Sequence, residues 1–415
     1  MAFLASTASR FYAKIYVVRE PANRSTFAVR LILKITIVLG PYFPVPTVLG
    51  GAVERVHLAL AEEFARRGHK VTMISRRFAD WPHDEMRSGV RHLRVDSIDA
   101  PISPIKFRLH DLLYSLRVRK VLPDSEITVT NSFFLPLVLR KSQAHHLYVH
   151  VARYPKWQMW LYLRADRIQA ISPDVADAIR RQTPVLASKL ITIPYPLSGI
   201  FASSPSIASL DRRQKIILYV GRLHREKGIH LLIDAFKRLA GRELAGYRLE
   251  IVGPHEVRAG GGGPDYLQEL RQLSSELGDR IIFRGAIFDP GELRETYDAA
   301  DLFVYPSIAE LGEAFGLAPL EAMAAGCRVV VSDLNCFRAF LENGRNGVSF
   351  DHRHNAVESL AVALAAVVAD PEPKRMRKAA VETATRFQIG PIADRFIDDF
   401  QQILNRKQIT GLSMI

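Results

Sequence analysis

Short runs of β-branched and other apolar residues alternate along this chain with segments whose apolar residues recur every three or four positions. The first run, at 34–39 (KITIVL), is continuous, as a strand buried on both faces of a parallel sheet requires. In the segment 52–67 the apolar residues share one helical face: Val53, Val56, Leu60 and Phe64. A second continuous run begins at His69. Together these segments predict a strand, a helix and a second, parallel strand.

The same alternation continues through the rest of the chain. Further strands are predicted at 127–130, 147–151, 168–171, 190–194, 216–220, 248–253, 281–283, 302–305 and 329–332. Helices are predicted at 229–240 and 392–404, and Ser-Pro or Asp-Pro pairs at 172–173 and 289–290 begin two others. The alternation stops in the Ser-rich segment 201–213, which is predicted to be a linker.

This order predicts an α/β fold built from two doubly wound halves. We place the first at residues 34–205 and the second at 206–390, followed by a C-terminal helical segment, 391–415. Ligands of such sheets bind at the carboxyl ends of the strands, so the cleft between the halves is the expected site. Residues 1–33 carry five Lys and Arg and one acid, without the features of a secretory signal. We interpret them as a flexible basic extension, or as the result of a start codon assigned too far upstream.

Composition excludes several classes of protein. Of the 415 residues, 48% are hydrophobic and 24% charged, which is typical of a globular chain, and no run of apolar residues is long enough to span a membrane. Cys327 and Cys336 are the two cysteines, so neither a disulfide framework nor a zinc site is indicated, and a reducing cytoplasm is expected. The net charge of +13 is uneven: residues 1–200 carry +14 and the remainder −1. This asymmetry predicts an anionic neighbour, which could be a membrane surface, nucleic acid or an acidic acceptor.

The segment 301–333 carries the most specific chemistry. Its strand, Leu302–Tyr305, leads into a loop with Glu310, Glu313 and Gly316, and then into a helix that we predict to open at Pro319, to carry Glu321 and to close at Gly326. Carboxylates thus converge near the unpaired N–H groups of a helix N-terminus, where a phosphorylated, hydroxyl-rich ligand would be stabilised. The competing interpretation is an acidic loop followed by an ordinary surface helix.

A basic loop follows the first strand of the second half. Gly221-Arg222 and Lys227-Gly228 place two cations five residues apart between glycines that let the loop curl toward an anion. Fixed cations can stabilise a leaving diphosphate without a metal, and we see no D-x-D metal motif. A solvated basic loop is the alternative interpretation. In the first half, Gly50-Gly51 stands at a helix start, where backbone can approach a ligand, although a tight turn explains this pair equally well.

These motifs resemble those of the family 4 retaining glycosyltransferases, which have the GT-B fold of two Rossmann-like domains facing across a cleft. The segments EAFGLAPLE (313–321) and GRLHREKG (221–228) carry the resemblance. It implies that Glu321 binds the ribose of a nucleotide-sugar, that Glu313 lies against the donor sugar, and that the last helix crosses back onto the first domain. The remaining implied roles are diphosphate binding by Arg222 and Lys227, and donor binding by Ala314, Phe315, Gly316, Leu317, Gly50, Gly51 and, near the base, Ile287.

The resemblance also implies a catalytic histidine and a mechanism. Many members have a histidine at the end of the strand that corresponds to 147–151, which makes His150 the candidate for contacting the donor sugar. By itself a lone histidine is more often a satisfied polar residue. Retention implies that attack and departure share one face of the sugar, with the leaving phosphate helping to take the acceptor proton. We expect no metal and no cofactor beyond the nucleotide-diphosphate sugar co-substrate, and a glycan or lipid-linked acceptor in cell-surface polysaccharide or glycolipid biosynthesis.

Two basic, apolar segments indicate the acceptor side. Segment 105–120 gathers Ile105, Leu109, Leu112, Leu113 and Leu116 toward one helical face, and 153–164 mixes Trp157, Trp160 and Tyr162 with cations. Both are typical of interfacial segments, although amphipathic packing on the protein's own core explains each one separately. We expect peripheral contact with an anionic membrane, at the inner face of the cytoplasmic membrane. The tetraglycine 260–263 is interpreted as a flexible connection and is not placed in the site.

Four other functions stay open at this point. A nucleotide-sugar epimerase or a phosphorylase could share the architecture, but we can assign neither a ring acid-base pair nor a cofactor lysine. A glycosidase would also use two glutamates, yet these flank a phosphate-type loop. A basic nucleic-acid-binding protein would explain the charge, but no nucleic-acid-binding signature accompanies it, so nucleic acid is not an expected partner.

Overall fold

The computed structural model describes residues 32–48, 51–101, 103–140, 145–197, 199–202 and 213–412, with side chains described up to residue 405. The predicted extension up to residue 31, Gly50 and residues 203–212 of the predicted linker lie outside the described residues. Among the described helices, none combines the length and the apolarity needed to cross a membrane.

Fourteen strands and eleven helices are labelled in chain order within the described ranges. The strands are β1 (Lys34–Val38), β2 (Lys70–Arg76), β3 (Asp84–Arg87), β4 (Val90–Val95), β5 (Ile127–Thr130), β6 (His146–Val151), β7 (Arg167–Ala170), β8 (Leu190–Thr192), β9 (Gln214–Val220), β10 (Arg248–Val252), β11 (Ile281–Gly285), β12 (Ala300–Tyr305), β13 (Arg328–Ser332) and β14 (Val348–Phe350). The helices are α1 (Ala52–Arg66), α2 (Pro104–Val121), α3 (Leu135–Val138), α4 (Pro173–Gln182), α5 (Ile229–Leu239), α6 (Gly263–Leu273), α7 (Pro290–Ala299), α8 (Leu317–Ala325), α9 (Ala356–Ala369), α10 (Pro373–Thr385) and α11 (Ile389–Leu412).

The strands form two sheets, which confirms the predicted pair of doubly wound α/β domains. The first sheet has the order β3-β4-β2-β1-β5-β6-β7-β8 and the second the order β11-β10-β9-β12-β13-β14. Every pairing is parallel except that of β3 with β4. Strand order reverses between β1 and β5 in the first sheet, and between β9 and β12 in the second. Crevices open at the carboxyl ends of strands at such reversals.

The hairpin of β3 and β4 was not anticipated from the pattern. Strand β3 has the sequence DEMR and none of its residues is buried, and the polar residues His92 and Arg94 of β4 are buried. Such an edge strand carries charges on a solvated face and therefore lacks the continuous apolar run that marks the interior strands.

Helix α8 is buried, so the surface-helix interpretation of this segment is wrong. It begins at Leu317, two residues before the predicted opening at Pro319, and every residue from Pro319 to Ala325 is buried. Gly326 closes it with φ 82°, as predicted. The helix packs against β12 and β13 on one side and against α7 and α10 on the others. Because all its sides are covered, apolar residues surround Glu321 on this helix.

Helix α2 does not bury its leucine-rich face against the core; it buries the opposite face. Its buried residues are Asp111, Tyr114, Ser115 and Val118, whereas the leucine-rich face is largely exposed. Asp111 accepts hydrogen bonds from the Ser132 hydroxyl at 3.2 Å and from a backbone N–H at 3.0 Å, and this anchors the polar side inward. The interpretation of α2 as a helix packed by its leucines is therefore wrong.

The last helix, α11, packs against the first domain. Phe396 and Phe400 meet the ring of Phe64 on α1, with ring centres 6.3 and 6.0 Å apart. A buried ion pair also joins this helix to the first sheet: Arg167 Nε on β7 donates to Asp399 Oδ2 at 3.0 Å. Both side chains are almost fully enclosed, so each charge depends on the other.

We predict that Asp399→Ala destabilises the protein strongly. It leaves the Arg167 guanidinium buried without its counter-charge, which costs about 3–5 kcal/mol in comparable sites. The neighbouring Asp398→Ala is the control, because Asp398 is exposed and should change stability by less than about 0.5 kcal/mol. Urea denaturation followed by circular dichroism measures both; equal effects of the two substitutions would contradict the assigned role of the pair.

Candidate functional site

The loops that follow β9 and β12 meet at the strand reversal of the second sheet. Gly228 ends the first loop with φ 67°, and a Cβ there would overlap the carbonyl oxygen of Pro306. The Ile308 N–H donates to the carbonyl oxygen of Glu226 at 2.8 Å and joins the loops a second time. This close approach, which only glycine allows, brings the predicted cation loop onto the predicted glutamate loop.

Lys227 and Glu313 form an ion pair in this junction. Lys227 Nζ donates to Glu313 Oε2 at 2.7 Å, and the side chains are 5% and 11% exposed. The ammonium also lies 5.7 Å from the centre of the Tyr305 ring at the end of β12. Two residues predicted from separate motifs therefore form one charge-balanced unit.

Arg222 is held in the same crevice by different partners. Its Nη1 donates to the Gly260 carbonyl at 2.7 Å and its Nη2 to Glu226 Oε1 at 3.1 Å, and the side chain is partly exposed. The tetraglycine is thus not a free connection: it packs against Arg222, and a Cβ at Gly260 would lie 2.6 Å from Nη1. Its glycines let the backbone approach the guanidinium of a predicted site residue.

Glu321 is the more deeply buried of the two glutamates. Its Oε1 accepts from Arg55 Nη2 at 2.8 Å, and its Oε2 accepts from the Tyr297 hydroxyl at 3.3 Å. Burial raises the pKa of the Glu321 carboxyl, and the positive charge of Arg55 opposes that rise. Arg55 lies in the first turn of α1, so this contact crosses the cleft between the domains.

The residues between the two glutamates shape the entry to α8. Gly316 has φ 86°, and a Cβ there would overlap the Phe337 ring. Phe315 is buried and packs edge-on against Tyr195 of the first domain, with ring centres 6.0 Å apart. Ala314 and Leu317 are half-buried beside it. This segment therefore lies at the domain junction, where a ligand held between the domains would touch it.

Glu310 does not converge with the other two glutamates. Its carboxylate is bonded to His352 Nε2 at 2.9 Å and to Arg353 Nε at 2.8 Å, at the edge of the second sheet beyond β14. The predicted convergence of carboxylates is therefore limited to Glu313 and Glu321.

Ile287 is half-buried between β11 and α7, and β11 lies two strands away from β9.

His150 is enclosed at the end of β6 and is bonded within its own domain. Its Nδ1 donates to the Gln169 Oε1, and its Nε2 accepts from the Tyr195 hydroxyl at 3.2 Å. Burial holds the pKa of His150 well below its usual range, and the nearby His57 lowers it further. The imidazole is therefore neutral near pH 7. Tyr195, which is bonded to His150, separates it from Phe315 of the second domain.

Two protein-family models match this chain, and together they cover most of both domains. The model for "Glycosyltransferase Family 4" matches residues 49–197, and the model for "Glycosyl transferases group 1" matches residues 203–385. The chain belongs to glycosyltransferase family 4. Over 235 residues it is 30% identical to a phosphatidyl-myo-inositol mannosyltransferase of Mycobacterium leprae, covering 55% of this chain and 58% of that one. The chain thus spans little more than half the length of this curated relative.

Solved structures confirm that this family 4 chain has the GT-B fold. A sucrose-phosphate synthase from Thermosynechococcus elongatus matches with a TM-score of 0.74 at 22% identity, covering 90% of this chain and all of that one. Anabaena HepE, solved in complex with UDP and glucose, matches with a TM-score of 0.68 at 19% identity, covering 89% of this chain and 99% of that one. At these identities the likeness concerns the fold.

Several residues of the candidate site were not singled out from the sequence. Glu54 and Arg55 lie three and four positions after Gly51, and their place near the diglycine was the available signal. Tyr195 directly follows a predicted strand, and Tyr297 lies in the helix that begins at Asp289-Pro290. Nothing local marks them, because they reach the site through the packing of distant elements.

Glu54 is buried at the start of α1 behind the domain junction. A Cβ at Gly51, where φ is 109°, would overlap the Glu54 carboxylate, so the loop passes directly against it. Burial raises the pKa of Glu54 to about 7, although a backbone N–H and Arg153 favour its ionised form. Its neighbour His57 donates from Nδ1 to the Val53 carbonyl at 2.8 Å, and burial lowers the pKa of His57 to about 4.

We predict that Glu54→Gln stabilises the protein at neutral pH but not in acid. Because the folded-state pKa is raised, the unfolded chain releases the proton first, and stability falls as pH rises from about 4.5 to about 7. The amide has no charge to bury, so the variant should gain about 3 kcal/mol over wild type at pH 8 and nothing near pH 4. Denaturant unfolding across this pH range measures the difference, and parallel profiles for the two proteins would contradict it.

Proposed function

We propose that this chain is a retaining glycosyltransferase that moves a sugar from a nucleoside diphosphate to a glycan or lipid-linked acceptor without a metal ion. The observation that carries the proposal is the pair of buried glutamates at the domain junction, each bonded to a cation. Lys227 lies 2.7 Å from Glu313, and Arg55 lies 2.8 Å from Glu321. Family membership supports glycosyl transfer over epimerisation, phosphorolysis or nucleic-acid binding.

The cations account for the departure of the diphosphate. As the glycosidic bond breaks, negative charge accumulates on the leaving phosphate, and fixed cations in a water-poor crevice stabilise that charge most effectively. Lys227 is buried, so its field is little screened, and Arg222 lies in the same loop with a partly exposed guanidinium. Glu321 would accept hydrogen bonds from the ribose, and Glu313 would accept from the sugar and keep Lys227 in place.

His150 fits a role as a hydrogen-bonding group. With Nδ1 donating to Gln169, its Nε2 is an acceptor that can bind either the Tyr195 hydroxyl or a hydroxyl of the donor sugar. Its lowered pKa keeps it neutral, so it would orient the sugar without taking part as an acid. In a retaining reaction the departing phosphate oxygen then accepts the acceptor proton, and no protein base is required.

An exposed apolar surface on the first domain supports an acceptor at a membrane. We call it the α2–α3 surface, because α3 packs against both α2 and the turn 158–162. Its exposed apolar side chains are Ile105, Leu109, Leu113, Leu116, Leu137, Trp157, Trp160 and Leu163. Exposed cations surround them: Lys106, Arg108, Lys120, Lys156 and Arg164.

This arrangement is that of an interfacial surface, in which apolar side chains enter the headgroup region and cations meet anionic lipids. Trp157 is 77% exposed and Ile105 is 82% exposed, and contiguous exposed apolar patches rimmed by polar residues mark interaction sites. Arg153, four residues before Trp157, interacts electrostatically with the buried Glu54. The surface therefore borders the domain junction, and a lipid-linked acceptor could reach the donor sugar from it at the cytoplasmic face of a membrane.

We predict that one nucleotide class stabilises the protein in the presence of a chelator. In a panel of UDP-, GDP- and ADP-sugars, ligand at a hundredfold its Kd should raise stability by about 2.7 kcal/mol, visible as a shift in Tm. Arg222→Ala and Glu321→Ala should abolish the shift, because they remove the diphosphate and ribose contacts.

Arg225→Ala is the matched control for this panel. Arg225 lies in the same loop but is exposed and paired with Glu269, so its loss should leave the shift intact. Folded protein that responds to none of the nucleotides would overturn the proposal, and a shift that needs added metal would overturn its metal-free form.

We predict that the α2–α3 surface binds anionic vesicles. Replacing both Ile105 and Leu109 with Ser should lower binding to phosphatidylglycerol-containing vesicles by about tenfold or more. The reason is that two aliphatic side chains that would enter the bilayer are lost. The control pair, Met86→Ser with Val362→Ser, removes equally exposed apolar side chains elsewhere. Vesicle co-sedimentation measures both, and equal binding of the two double variants would contradict the assignment of the surface.

A further inference from the structure

Arg55 is the residue of the first domain that reaches the predicted ribose-binding carboxylate. It lies on the first turn of α1, one turn after Gly51, and its Nη2 donates to Glu321 Oε1 at 2.8 Å. The two residues are 266 positions apart and belong to different domains. The Glu321 side chain is 7% exposed, and that of Arg55 is 38% exposed. The guanidinium therefore bridges from the open part of the cleft to a carboxylate that water scarcely reaches.

Two partners hold the Glu321 carboxylate in one orientation. Arg55 occupies a lone pair of Oε1, and the Tyr297 hydroxyl, from α7, occupies one of Oε2. An ionised carboxylate has about four acceptor positions, so these two contacts leave one position on each oxygen. Two adjacent hydroxyls, such as those of a ribose, can donate to two oxygens of one carboxylate at the same time.

We propose that Arg55 is a positioning residue for the nucleotide: it aligns and keeps ionised the Glu321 carboxylate that receives the ribose hydroxyls, and so makes the first domain part of the ribose site. This inference rests on the proposed function, because it needs a ribose-bearing donor. A hydrogen bond accepted by an ionised oxygen is about twice as strong as one accepted by a neutral oxygen. A contact from the opposite domain also couples ribose binding to the approach of the two domains.

The surroundings of Glu321 make Arg55 its nearest counter-charge. Arg55 from α1 and Tyr297 from α7 are bonded to the Glu321 carboxylate. Other charged or titratable groups close to α8 include Arg377 from α10, Asp301 and Arg328 from β12 and β13, Arg213 and Cys327. Arg377 and Arg213 bond the carbonyls of Gly326 and Ala325 at the far end of the helix, and Arg328 bonds Asp301. Since burial raises the pKa of Glu321, losing Arg55 should raise it further.

The test compares ligands with and without ribose hydroxyls. The probes are the nucleoside diphosphate selected by the nucleotide panel and its 2′,3′-dideoxy counterpart, titrated calorimetrically into wild type, Arg55→Met and Arg55→Lys. Arg55→Met should weaken the nucleoside diphosphate about tenfold, the effect of one charge-assisted hydrogen bond, and should leave the dideoxy compound nearly unchanged. Arg55→Lys keeps the charge and should retain most of the affinity.

The pH profile supplies a readout that a structural role would not move. Ribose hydroxyls bind the ionised carboxylate better, so nucleotide affinity falls as Glu321 takes up a proton. In Arg55→Met this fall should begin at a higher pH than in wild type. Arg66→Met is the control on the same helix: Arg66 is exposed and paired with Glu63, and its loss should change neither affinity nor profile.

Three results would overturn the inference while the proposed function stands. The first is that Arg55→Met changes neither the affinity nor the pH profile. The second is an equal loss of affinity for the nucleoside diphosphate and its dideoxy counterpart, which would indicate a phosphate contact. The third is tighter binding of the nucleotide by Arg55→Met, which would make Arg55 a competitor of the nucleotide for Glu321. Wild-type protein that binds no nucleotide at all would overturn the proposed function, and this inference with it.

Discussion

The neutralisation of two buried carboxylates is the constraint on which the rest of this structure depends. An ionised carboxyl group taken out of water costs several kcal/mol unless a cation and further hydrogen bonds compensate. Glu313 meets this need through Lys227, and Glu321 through Arg55. The partners lie 86 and 266 positions apart in the chain. Charge balance therefore ties one loop of the second sheet to another, and one domain to the other.

Backbone geometry makes those pairs possible. Strand order in the second sheet reverses between β9 and β12, so a crevice opens at the carboxyl ends of these strands. Gly228 and Gly316 let the two loops approach each other and let α8 begin against Phe337. The exposed α2–α3 surface lies on the other domain. The paired cations Lys227 and Arg222 and the exposed apolar surface thus belong to different domains.

Local patterns were sufficient for the alternating strands and helices and for the two motifs of the second domain. Arg222 with Lys227, and Glu313 with Glu321, lie within eight residues of each other, so each pair belongs to one contiguous segment. The face that α2 buries could not be predicted from the sequence, because periodicity shows that a helix has two faces but not which of them packs against the core. Hydrogen bonds that Asp111 accepts from residues of another segment decide that question. Sequence similarly could not show that α8 is covered on all sides, since its covering elements are distant in the chain.

By itself the sequence determined the two-domain α/β architecture, the family and the position of the cation and glutamate loops, since each of these is encoded in contiguous residues. Only the tertiary structure decided which cation neutralises which carboxylate, that Tyr195 stands between His150 and Phe315, and that Gly260 holds Arg222. Those contacts join segments from 38 to 266 residues apart. Electrostatic and hydrogen-bond partners act over a few ångströms, so they depend on how the chain packs and not on where a residue stands in it.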